Sequence, residues 1–107
     1  MKRGKEKKTM VDRHIMNSYD YSKLCDWYGN NVRYSRFNYC QAYISERIYC
    51  SAFDIDFQLV KSYETIVAVI DHTHQQFIRL GKWSRTTSKQ STQIHNTHCR
   101  YYEDIQY

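Results

Sequence analysis

The chain has 107 residues, 41% hydrophobic and 25% charged, with eleven tyrosines, four phenylalanines and no proline. That length fits one domain with a modest core; the longest apolar run falls far short of the roughly 20 residues that cross a bilayer, and the lysine-rich start lacks the apolar stretch of a secretory signal. Of the charges behind the net +5, six basic and two acidic side chains lie within residues 1–13, and the nearly neutral body argues against a dedicated duplex-DNA binder.

Residues 1–8 read as a basic flexible tail and residues 9–107 as a single α+β domain. Residues 9–31 form a helical entry: Asp12 or Asn17 caps it, Tyr21, Leu24, Cys25 and Tyr28 recur at helical spacing, and Gly29-Asn30-Asn31 ends it. Val32–Ile44 and Arg47–Ala52 then read as a hairpin centred on Ser45. Its registry sets Cys40 opposite Cys50, on one face with Ala42, Ile44, Ile48 and Ala52. Phe53, Ile55, Phe57 and Leu59 alternate with polar residues as a half-buried strand, and the parity change at Ala52/Phe53 predicts a bulge or bend. Ser62–Asp71 is β-branched and apolar on both faces toward its end, so it reads as a central strand. His72-Thr73-His74 turns it into a further strand over Gln76–Leu80. After Gly81, the capping run Ser84-Arg85-Thr86-Thr87 opens a C-terminal helix over Ser84–His98. The expected fold is therefore a small antiparallel sheet of four to five strands flanked by an N-terminal and a C-terminal helix.

Ile94 is the one strong apolar residue of that last helix, so its docking must rest on something other than a hydrophobic stripe. His95 and Cys99 lie four residues apart on one helical face. With Cys40 and Cys50 they make a tetrahedral set of the kind a structural zinc ion (Zn2+) takes, with Cys25 or His98 as substitutes. Such a site would staple the helix to the sheet. The spacing is no standard finger pattern, and buried thiols with surface histidines are the alternative reading. In a cytosolic chain a Cys40–Cys50 disulfide is not expected. His72 and His74 form a second, weaker pair of possible ligands, and Glu64 and Asp71 are candidate carboxylates outside any catalytic signature. The sequence holds no phosphate-binding glycine loop, GxSxG elbow or HExxH motif, so an enzyme is not expected. Tyrosines beside Arg33, Arg36 and Arg47 suit stacking of single-stranded bases, which makes nucleic acid an alternative partner. Acidic residues Asp54, Asp56, Glu64 and Asp71 precede a basic stretch holding Arg79, Lys82, Arg85, Lys89 and Arg100. Stripes of opposite sign can steer association with a charged partner.

The run Ser62-Tyr63-Glu64-Thr65-Ile66-Val67-Ala68, followed by Trp83-Ser84-Arg85-Thr86-Thr87-Ser88-Lys89, resembles a family of small phage and mobile-element proteins. Its members carry a Ser-Tyr-x-Thr-x-Val-Ala strand and a Tyr-Ser-x-Thr-Thr-Ser-Lys-His helix opening; here Trp83 and Gln90 stand in for the tyrosine and the histidine. The resemblance covers about a third of the chain. It implies a phage-borne setting and a sheet-plus-helix fold. The chain is also similar in type to type II anti-CRISPR proteins, being short, tyrosine-rich and charge-striped. That similarity implies a non-enzymatic inhibitor in the cytoplasm of a bacterial host, blocking target-DNA loading by the RNA-guided nuclease. A phage nucleic-acid-binding accessory protein is the alternative.

Overall fold

Asn17 starts helix α1, the first among the described residues, over Ser18–Tyr28. Its side chain accepts the Asp20 N–H at 2.9 Å, and the Asp20 carboxylate accepts the Asn17 N–H at 3.2 Å. This reciprocal cap satisfies donors that a helix start otherwise leaves open. The helix stops at Gly29, where a β-carbon would stand 2.6 Å from Ile66 Cδ1 and closer still to the Cys25 carbonyl oxygen. Only glycine lets the helix end lie that near the sheet. The computed structural model describes residues 16–37, 41–81 and 83–107, so Asp12, Cys40 and the basic tail lie outside the described residues.

The strands are β1 (Tyr34–Arg36), β2 (Ala42–Ser45), β3 (Ile48–Cys50), β4 (Ile55–Ser62), β5 (Thr65–Asp71), β6 (Gln76–Arg79) and β7 (Glu103–Gln106), with helix α2 (Arg85–His98) between β6 and β7. They form one sheet in the order β1-β2-β4-β5-β6-β7, with β3 also paired to β4. The α+β class holds. The sheet is larger than the four to five antiparallel strands expected, with seven strands, and it is mixed because β7 runs parallel to β6. A parallel neighbour needs a crossover, and α2 supplies it. In β7 only Ile105 is even half-buried, so no apolar alternation marked it in the sequence.

The expected Cys40–Cys50 hairpin is replaced by a different pairing. The segment Val32–Ile44 divides into β1 and β2, which pair with each other. Strands β2 and β3 both pair with β4, end to end, through Ile44↔Val60 and Ile48↔Phe57. Four steps from Ile44 to Ile48 oppose three from Val60 to Phe57, so Glu46-Arg47 carries one extra residue, a bulge. One extra residue turns every later side chain to the other face. Ala42 and Ile44 therefore pack with Val60, Ala68, Ile70 and Phe77, while Ile48 and Cys50 pack with Ile55, Phe57 and Leu59. The Ser45 hydroxyl bridges the break: it accepts the Leu59 N–H and donates to the Glu46 carbonyl, each at 2.8 Å.

The parity change at Ala52/Phe53 is a four-residue turn over 51–54 that returns β3 to β4. Strand β5 is central, as expected, and Val67–Asp71 are all buried. Helix α1 covers one face of the sheet with Tyr21 and Leu24; α2 covers the other with Ile94.

Candidate functional site

Cys50 is buried on the α1 face, and its side-chain interaction with Tyr28, helped by burial, raises the Tyr28 pKa. Cys99 is buried on the α2 face among Ile94 and Phe77, and His95 stacks on Phe77 with ring centroids 4.9 Å apart. The sheet thus separates Cys50 from His95 and Cys99, and these described members of the expected zinc set do not fit one ion. Cys25 packs on the α1 side as well, and His98 is exposed at the end of α2. Among the described residues no three His, Cys, Asp or Glu side chains are grouped for a metal. Burial pushes the Cys25 thiol up to about 12 and the Cys99 thiol up to about 11, which keeps both protonated at neutral pH.

The polar helix α2 is anchored by hydrogen bonds. Ser62 Oγ donates to Gln90 Oε1 at 3.1 Å and lies 3.2 Å from Thr87 Oγ1, so the two stretches that carried the family resemblance pack on each other. His95 Nε2–H donates to the Tyr102 carbonyl at 2.9 Å. Arg79 reaches Thr92 Oγ1 at 3.1 Å and pairs with Asp104 of β7 at 2.8 Å.

The histidines of the β5–β6 turn face opposite ways. His74 serves the α1 face: its Nδ1–H donates to the buried Asp71 carboxylate at 2.7 Å, and the Tyr21 hydroxyl donates to the same oxygen at 2.6 Å. Burial, with that bond to Asp71, pushes the Tyr21 pKa up. His72 serves the α2 face. The Gln58 amide donates to the Ser45 carbonyl, which leaves Gln58 Oε1 to accept His72 Nε2–H at 2.8 Å. His72 Nδ1 then accepts the Tyr102 hydroxyl at 2.7 Å. The neutral ring is fully bonded, and burial, with Arg47 nearby, holds its pKa below the usual 6.5.

Beyond Gln58 opens a cleft of about 560 Å³ between β1, β2 and the last turn of α2. Arg33, Ser35, Arg36, Phe37, Thr97 and His98 line it from the two sides. Arg47, grouped with Arg33 and Arg36 in the sequence, is instead committed to Asp56 at 2.7 Å. Sequence reasoning missed Phe37, Thr97 and the cleft itself, because β1 meets α2 only through the tertiary fold.

The surface carries a second candidate feature. Tyr63 sits in the two-residue turn joining β4 to β5, 59% exposed, with φ +57. Tyr19, Trp27, Tyr49, Trp83, Tyr101 and Tyr107 are the other large hydrophobic side chains exposed among the described residues, every one of them tyrosine or tryptophan. Among the described residues no helix is long and apolar enough to cross a membrane.

A family match covers nearly the whole chain, residues 4–105. The chain belongs to DUF8033, a family of unknown function. No curated protein and no solved structure matches it.

Proposed function

We propose that this DUF8033 protein works by binding, as a non-enzymatic inhibitor of a host defence protein. The concrete partner is the RNA-guided nuclease of a type II CRISPR system in the bacterial cytoplasm, occluded sterically and electrostatically so that target DNA does not load. The reading rests on the similarity of type set out above, and one observation carries the binding surface. Tyr63 is a bulky residue in a left-handed turn conformation that favours glycine, yet its ring stands in solvent. A left-handed turn position favours glycine over tyrosine, whereas a contact surface gains a rigid amphipathic anchor on a short hairpin. The other exposed tyrosines and tryptophans are the residue types that dominate interfaces, which supports the same reading.

Size-exclusion chromatography with guide-loaded nuclease, followed by a target-cleavage assay, tests it. Co-elution of the two proteins with loss of cleavage is expected, and Tyr63→Gly weakens both effects. Separate elution with full cleavage at excess inhibitor rejects the nuclease as partner.

A further inference from the structure

We propose that the cleft between β1, β2 and the end of α2 is a binding site for single-stranded nucleic acid, with phosphates held by Arg33 and Arg36 and a base set against His98. This goes beyond the inhibitor reading and stands without it. At about 560 Å³ the cleft has the size of an ordinary ligand site.

Its charges are uncommitted. The arginines that brace the fold hold carboxylates, Arg47 on Asp56 and Arg79 on Asp104. Among the described residues the Arg33 guanidinium holds none, and Arg36 reaches only the Tyr43 hydroxyl at 3.5 Å while lying 5.8 Å from the centre of that ring. Glu46 is the one carboxylate among the described residues of the wall, and it accepts the Arg33 backbone N–H at 3.1 Å. Two guanidiniums with free donors suit phosphate oxygens, which they meet with paired hydrogen bonds.

The opposite wall offers a ring. His98 is exposed at the end of α2 beside Thr97, and buried Phe37 backs it, the two rings 5.7 Å apart at 58°. A flat ring next to cations suits an unpaired base joined to its phosphate, because every base has a face to stack and only a single strand offers it. An acidic peptide would use the arginines and leave the His98 ring idle.

Fluorescence anisotropy of the full chain with labelled short poly-dT and poly-rU strands tests the site. Arg33→Ala and Arg36→Ala should each weaken binding roughly tenfold at low salt and flatten its salt dependence. His98→Ala should weaken it with the salt slope unchanged, which separates stacking from charge. A preference between the two strands names the sugar, and either supports the site. A chain with Lys5, Lys7 and Lys8 changed to Gln keeps the effect of the arginine variants if the cleft is the site. Absence of binding by the parent overturns the proposal. So does binding lost with the lysines and indifferent to both arginines, or equal capture of a poly-glutamate peptide.

Discussion

The two faces of the sheet are covered by helices that hold on in different ways. On one face α1 presses Tyr21 and Leu24 into an apolar layer with Ile55, Phe57, Leu59, Val69 and Ile78, each at most 1% exposed. On the other, α2 brings a single aliphatic side chain, Ile94, and turns Thr87, Gln90, Ser91 and His95 inward. Apolar contact is non-directional, so it fixes how firmly α1 is held more than where it sits. Hydrogen bonds fix position, because each donor must meet one acceptor at one distance. The Tyr21–Asp71 bond adds one directional tie to α1, but α2 on the face carrying the cleft depends on such bonds for most of its hold, and its last turn inherits that placement.

The contrast breaks most visibly at Leu24. Leu24→Ala should cost about 2–5 kcal/mol in urea unfolding, since a buried aliphatic leaves a cavity behind. A loss under about 1 kcal/mol would mean that α1 is not held by burial. On the other face, Ser62→Ala should cost about 1–3 kcal/mol by stranding Gln90 and Thr87, and adding Gln90→Leu should restore part of it. Strict additivity of the two changes would sink the hydrogen-bond account of α2.

A pH series sharpens the comparison. His72 has a folded pKa below its ordinary 6.5, so the unfolded chain binds the proton more readily. Its contribution to stability is complete above 6.5 and declines as pH falls from there to the lowered folded value. Subtracting the profile of His72→Gln from that of the parent should isolate this decline; identical profiles would refute it. The smallest effect has the opposite sign. Tyr63→Gly should stabilise the fold by about 0.5–1 kcal/mol, because relief of the left-handed tyrosine exceeds the entropy cost of glycine. A destabilised Tyr63→Gly would show that the ring serves the fold after all.

Local signals in the sequence were read well where they were strong. The Asn17 cap needs only its neighbour Asp20, and the alternation of Ile55, Phe57 and Leu59 needs only one apolar face. The bulge at Glu46-Arg47 was illegible because no glycine or proline marks it, and it reversed the face assigned to Cys50. Strand β7 was missed because its pairing edge is supplied by β6 after a helical crossover. The need of α2 for an anchor was legible in its lack of apolar residues. Its means, through Ser62, Arg79 and the Tyr102 carbonyl, depended on side chains far away in the chain. The cleft shared that difficulty, since Phe37 and His98 meet from opposite ends of the domain.

The bulge has a consequence for how molecules of this protein meet one another. By dividing what would be one long strand, it leaves β1 pairing only with β2 among the described residues, and β3 offers an outer rim of three residues beginning beside the charged Arg47. The far rim of the sheet, β7, begins with Glu103 and Asp104. A long, flat, apolar rim invites other chains to add strands without end; short, charged rims discourage it. An irregularity that hid the fold from the sequence thus also helps keep a seven-stranded, tyrosine-rich sheet from growing into a fibril.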